Sequence, residues 1–171
     1  MKIPVVDTTK MAIFVAISVV LSRFLSFKVI FMGIEGIRIG FGSFTIILSG
    51  IIFGPLGGAI VGALADIIGY MLSPLGPYMP HFTINAALVG IIPGLLLHRT
   101  YKKGHDISLF TLGFAIGIEE LITTIILLPY FLNTLFHIPV DKILPAYIIR
   151  GIIDTVLFTI VIREFLIRKV I

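Results

Sequence analysis

Residues 39–72 read IGFGSFTIILSGIIFGPLGGAIVGALADIIGYML, a stretch in which Asp66 is the one charged residue. A membrane-spanning helix needs about 20 predominantly apolar residues. The Gly54-Pro55-Leu56-Gly57 run divides the stretch, because it makes a tight turn and Pro55 suits the first turn of a new helix. The reading is two membrane helices, over about 39–53 and 55–72. The first is short, and a re-entrant segment is the other way to read it.

Working outward, further apolar runs predict helices over about 11–30, 82–97, 109–132 and 143–167. Ser73-Pro74-Leu75-Gly76-Pro77-Tyr78-Met79-Pro80 is too rich in proline for regular helix and reads as a loop. His98-Arg99-Thr100-Tyr101-Lys102-Lys103-Gly104-His105 reads as a basic loop. Residues 1–10 are short and polar, with no clear small-residue cleavage site. Helix one is therefore expected to be retained rather than removed as a signal peptide. The expected fold class is an all-α integral membrane protein. It is a bundle of six transmembrane helices forming a single membrane domain over 1–171, with both termini cytoplasmic.

Composition agrees with that class. The chain is 58% hydrophobic and only 13% charged, and a soluble fold of 171 residues could not hide so much apolar surface. Cysteine is absent, which excludes disulfides and thiolate metal sites. The net charge of +4 reads as orientation and attraction to anionic lipid, not as nucleic-acid binding. With both termini inside, Lys2, Lys10, Arg99, Lys102, Lys103, Arg163, Arg168 and Lys169 are cytoplasmic, and only Lys28, Arg38 and Lys142 lie in outer loops. That bias follows the positive-inside rule.

Two sets of residues in these helices need explaining. Ala12 and Ala16 share a helix face, and Gly58, Gly62, Ala65 and Gly69 form another small-residue stripe. Small residues let helices approach closely, so both patterns read as packing within the bundle; for Ala12 and Ala16 the sharper reading is docking to a partner membrane protein. Arg23, Asp66, Asn85, Glu119, Glu120, Arg150 and Asp154 all fall within predicted spans. Charge at that depth should face the bundle interior or water. Arg150 and Asp154, four residues apart on one helix, are placed to pair with each other.

The predicted outer end combines aromatics with hydrogen-bonding groups. Tyr70 is one turn from Asp66; Tyr78, His81, Phe82, Thr83 and Asn85 follow; Arg23 and Arg38 lie near the same side, and Asn133 and Thr134 close the fifth helix there. Such a mixture suits a flat, polar, anionic ligand, stacked on aromatics and held by arginine forks. An interfacial aromatic belt is the plainer explanation for the tyrosines. The histidines show no metal-ligand spacing, so no metal is expected. No nucleotide-binding glycine loop, HExxH or GxSxG motif is present, so no enzyme activity and no cofactor are expected, and any active transport needs energy from elsewhere.

These residues together resemble a known family. Residues 53–70, FGPLGGAIVGALADIIGY, are similar to the FGPxxGaxvGaxaDxxGy run of the folate branch of energy-coupling factor (ECF) S components. Pro74-Leu75-Gly76-Pro77-Tyr78-Met79-Pro80-His81-Phe82-Thr83 resembles the P-x-G-x-Y-x-P-G-F-T that follows it. Arg38 with IGFGSFTI resembles the opening of helix two, and Leu132-Asn133-Thr134-Leu135-Phe136 resembles L-N-T-L-W. Ala12-Ile13-Phe14-Val15-Ala16 matches the AxxxA motif. His81 stands in place of glycine and Phe136 in place of tryptophan, and both are positions where specificity can be retuned within one fold.

The resemblance implies a substrate-binding subunit that takes up folate or a related vitamin near the outer face. It implies docking through Ala12 and Ala16 on a transmembrane coupling subunit, with two cytoplasmic ATPase subunits driving uptake. Asp66 or Asn85 is then expected to read the pterin edge, and Tyr70 and Phe82 to supply aromatic walls. Arg23, Arg38 or Arg150 is expected to meet carboxylates or ring acceptors. Rival readings are an S component for pantothenate, pyridoxine or a thiamin precursor, an ion-coupled transporter using Glu119 and Glu120, and a small lipid-acting enzyme.

Overall fold

Gly54 has φ 85° and ψ 178°, a backbone conformation in the middle of a helical run that L side chains rarely adopt. It breaks helix α2 (Gly42–Leu72) into two arms, residues 42–53 and 55–72. The arms run antiparallel. A Cβ on Gly58 would lie 2.7 Å from the Gly50 Cα, and one on Gly62 would lie 3.1 Å from Ile46. Pro55 has no N–H to offer the Ile51 carbonyl one turn back. The His98 ring lies against Gly54 and its Nδ1 donates to that carbonyl at 3.0 Å. Replacing His98 by alanine should therefore leave a buried carbonyl unsatisfied. The expected loss is about 1–2 kcal/mol of stability, read as a lower thermal midpoint in detergent.

The computed structural model describes the backbone of residues 5–24, 26–31, 34–74 and 77–168, and the side chains of 6–23, 40–74 and 77–168. Lys2, Lys169, Leu75, Gly76 and the side chains of Lys28 and Arg38 lie outside the described residues. Helix α1 is Val5–Phe24, α3 is Pro80–Lys102, α4 is Leu109–Phe136 and α5 is Val140–Ile167. Between α1 and α2, strands β1 (Ser26–Phe31) and β2 (Ile34–Gly40) form an antiparallel hairpin pairing Ser26 with Gly40 and Lys28 with Arg38.

Several boundaries differ from expectation. The first helix, expected over 11–30, ends at Phe24, and the second begins at Gly42 rather than 39. The intervening β-branched and aromatic run Ser26–Phe31 pairs as a strand instead. Six separate helices were expected; among the described residues there are five, because the second and third remain joined through Gly54. Helix α3 carries on through His98–Lys102, which read as loop. Arg99 and Lys102 sit in its last turn, where cations complement the helix dipole. Pro80 opens it at a position where a missing N–H costs nothing.

Helix α4 is α-helical over Leu109–Glu120, widens to a π-helix over Leu121–Leu127, and resumes over Leu128–Phe136. The Leu128 amide bonds the Thr123 carbonyl, five residues back. Pro129 follows immediately. A wider turn relieves the clash its ring would make with the preceding turn of an α-helix.

Packing is densest between α2 and α3, with α1 lying against α2, and α4 packing on α5. Gly50, Gly58 and Gly90, one from each arm of α2 and one from α3, meet at a backbone crossing. Ile47, Ile51, Val61, Leu97, Leu112, Ile116, Phe158 and Ile162 fill the core. The outside is also apolar: Phe110, Phe114, Ile126, Ile149, Ile152, Val156 and Ile160 are all exposed. Four of the helices, α2 to α5, are long and apolar enough to cross a membrane. A helical bundle apolar on both its inside and its outside is built for lipid.

Candidate ligand-binding site

A cavity of about 280 Å³ opens where the C-terminal end of α1, the end of β2, both arms of α2, α3 and α5 converge. Ser18, Ser22 and Arg23 come from α1; Gly40 ends the hairpin; Gly42, Ser43, Ile46, Ala65, Asp66 and Gly69 belong to α2; Ala86 and Arg150 complete it. The chain reversal at Gly54 is what brings Ser43 and Ile46 opposite Ala65 and Asp66.

Arg23 ends α1 and its Nη1 donates to the Ser73 carbonyl at 3.1 Å, at the C-terminal end of α2. That end carries the negative pole of the helix dipole. The guanidinium crosses α2 over Gly69, where a Cβ would lie 3.2 Å from Nη2.

Asp66 is half-buried, and its Oδ2 accepts a hydrogen bond from Thr83 at 2.6 Å. The Thr83 hydroxyl has a single proton. With that proton directed at Asp66, the Tyr78 hydroxyl, 2.7 Å away, donates to Thr83. A polarised chain thus runs from the loop after α2 through the first turn of α3 to the cavity wall. The Tyr70 and Tyr78 rings pack with centroids 5.3 Å apart.

Arg150 pairs with Asp154 as its spacing predicts, Nε to Oδ2 at 3.1 Å. Glu119 and Glu120 are both buried beside this pair, and Glu119 accepts from Thr123 at 2.7 Å.

The structure therefore brings Arg23, Asp66 and Arg150 to one cavity, with Thr83, Tyr78 and Tyr70 linked to it through Asp66 and the Tyr78 ring. His81 and Phe82 lie apart from the cavity lining, packed on Phe131 with centroids at 5.4 and 6.4 Å. Asn85 is buried on α3 with its Oδ1 lacking a hydrogen-bond partner among the described residues. Asn133 is exposed and donates to the Ile138 carbonyl at 3.0 Å, closing the turn after α4. Phe136 is exposed near the same turn. Arg38 lies in β2, directly before the Gly40 end of the cavity.

Sequence reasoning missed Ser18, Ser22 and Ser43. Their only signal is hydroxyl groups in apolar helices, a common feature of membrane segments. Phe131 is one aromatic among many in α4 and carries no signal of its own. On α1, Met11, Phe14, Val15, Ser18 and Val19 are buried, and Ala12, Ile13, Ala16, Ile17 and Val20 are exposed. Ala12 and Ala16 thus lie on the open face of the helix.

Among the described residues, helices apolar enough to cross a membrane and a cavity lined by charged and hydroxyl side chains suit a membrane protein with a polar binding cavity. The sequence profile of the ECF-type riboflavin transporter S component matches residues 2–169, and the chain belongs to that family. This places it among transporter subunits rather than enzymes. It is 39% identical over 89 residues to the folate transporter FolT of Clostridium novyi (strain NT), a match covering 52% of this chain and 49% of that protein. The aligned stretch thus spans about half the length of that curated relative. The fold is similar to a crystal structure of FolT bound with folic acid, with TM-score 0.78, 26% identity, and 94% of this chain and 93% of the other covered. It is also similar to the S component of a bacterial ECF transporter, with TM-score 0.68, 26% identity, and 93% and 94% covered.

Proposed function

We propose that this chain binds folate at the cavity described above and is the substrate-specific subunit of an ATP-driven ECF transporter in a bacterial cytoplasmic membrane. The observation that carries this reading is the convergence of Arg23, Arg150 and Asp66 on one cavity. Folate joins a pterin ring, whose amino and N–H groups make a donor edge, to a glutamate tail with two carboxylates. One acid and two arginines complement those two ends. Likeness to the folate-bound FolT structure supports the choice. Asp66, with Oδ2 already engaged by Thr83, offers its other oxygen to the ring edge. Tyr70 and Tyr78 supply an aromatic wall. Arg23 and Arg150 meet the carboxylates.

The family profile names riboflavin, which favours a second reading. Riboflavin has a flat ring but no carboxylate, so it would leave the arginines without an anion. Calorimetric titration of detergent-purified protein with folate decides, with riboflavin, pantothenate and thiamin as controls. Tight one-to-one folate binding with silent controls supports the proposal. Riboflavin binding with silent folate sinks it.

Each arm of α2 crosses the membrane separately in this reading, giving six crossings with α1, α3, α4 and α5. Both termini then face the cytoplasm, as the placement of lysine and arginine favours. The exposed Ala12–Ala16 face meets the transmembrane coupling subunit, which joins two cytoplasmic ATPases. Ala16→Trp is expected to abolish ATP-driven uptake in the reconstituted complex, because the bulky ring holds the two helices apart. Folate binding by the isolated subunit should stay at the wild-type level. Unimpaired uptake by this variant would remove α1 as the docking face.

A further inference from the structure

We propose that Asp154 is a positioning residue for ligand binding. It holds the Arg150 guanidinium in the cavity wall so that the terminal nitrogens meet the ligand's acidic end. This rests on the reading of the cavity as a site for folate.

Arg150 reaches two places at once. It lines the cavity, and its Nε is 3.1 Å from Asp154 Oδ2. Asp154 is 1% exposed, so its carboxylate is fixed inside the bundle and not shared with solvent. Using Nε for this contact leaves both Nη groups, with four of the five guanidinium donors, for other partners. Among the described residues, neither Nη group has a hydrogen-bond partner on the protein. A carboxylate meets such a fork with two parallel bonds.

Competing acceptors surround the same guanidinium. Glu119 and Glu120, from the end of the α-helical part of α4, lie in its field, and both are buried. Each has an Oε2 with no hydrogen-bond partner among the described residues. An arginine turned toward either would leave the cavity with Arg23 but without the second cation that the ligand's two carboxylates call for. The bond from Nε to Asp154 opposes that turn. The order of the pair also argues against simple helix stabilisation, since an acid four residues before a base supports a helix better than this arrangement.

The test is a double-mutant cycle on folate affinity, with thermal midpoints measured for every variant. Asp154→Asn keeps the side-chain size but replaces the carboxylate, and is expected to weaken folate binding by about tenfold. Arg150→Gln should weaken it at least as much. In the Arg150→Gln background, Asp154→Asn should cost nothing further, because its effect acts through the arginine. Additive losses, or wild-type affinity in Asp154→Asn, overturn the proposal while leaving the folate reading intact. Wild-type affinity in Arg150→Gln overturns both the arginine's role and this proposal. Absence of folate binding by the unmodified protein overturns the reading of the site itself. If Asp154→Asn does not fold, Asp154→Glu carries the test, since its extra methylene shifts the carboxylate. A several-fold loss that vanishes in the Arg150→Gln background supports positioning, and wild-type affinity overturns it.

Discussion

Asp66→Ala is expected to weaken folate binding by about a hundredfold, equivalent to about 2.7 kcal/mol. Asp66 is the one acid that lines the cavity among the described residues. Hydrogen bonds to a charged group contribute about 1.5–3 kcal/mol each, more than neutral pairs. A pterin edge offers two donors to one carboxylate, and neither finds a substitute once the acid is removed. The fold should survive. Asp66 is half-buried, its Oδ2 accepts from the Thr83 hydroxyl, and that group retains Tyr78 as a neighbour. Asp66→Asn should also bind poorly, because its amide presents a donor toward donors. Titration calorimetry on folded variants reads the effect. Affinity within threefold of wild type would remove Asp66 from the ring-reading role.

The second large effect falls on the fold. Gly90→Val should prevent recovery of monodisperse protein from the membrane. A Cβ at Gly90 would lie 2.3 Å from the Gly58 carbonyl oxygen and 2.4 Å from its carbon. Both are backbone atoms and cannot swing away as a side chain would. A Cβ at Gly50 would in turn sit 2.1 Å from the Gly90 oxygen, so the arms and α3 meet with no space between them. Overpacking a core costs about 1–3 kcal/mol where side chains can adjust, and more where they cannot. Gly104→Ala is the useful contrast on exposure alone, since its Cβ would meet nothing within 4 Å, although its φ of 70° adds local strain. A Gly90→Val protein with wild-type yield and thermal midpoint would show that the helices separate readily.

Much of this arrangement is legible in the sequence because lipid imposes long apolar runs and makes every interior charge conspicuous. Arg23, Asp66 and Arg150 stand out for that reason, and the structure brings all three to one cavity. Gly54-Pro55 marks the reversal directly, since one residue permits the unusual φ and the next removes an N–H. The hairpin is not legible in the same way. Ser26–Phe31 continues the hydrophobicity of α1, and a short apolar run does not reveal whether it coils or extends. The basic end of α3 misleads because lysine and arginine signal a membrane boundary, yet both are good helix formers and continue the helix beyond it. Asn133 belongs to the outer-end polar set by sequence position, and its side-chain amide also closes a turn. That use depends on where the chain goes next, toward Ile138, which no local pattern states.

Among the described residues β1 and β2 pair only with each other, and this has a consequence for where the cavity sits. A sheet of two strands has an outer edge on each, and those edges carry amide and carbonyl groups that need water, headgroups or protein as partners. Hydrocarbon supplies none, and each unmatched group there costs several kcal/mol. Where protein does not cover those edges, the proposed membrane placement makes the hairpin a float that holds its end of the molecule at the waterline. Gly40 ends β2 and also borders the cavity. A solute arriving from the aqueous phase would find the cavity's rim at the membrane surface, without first dissolving in oil.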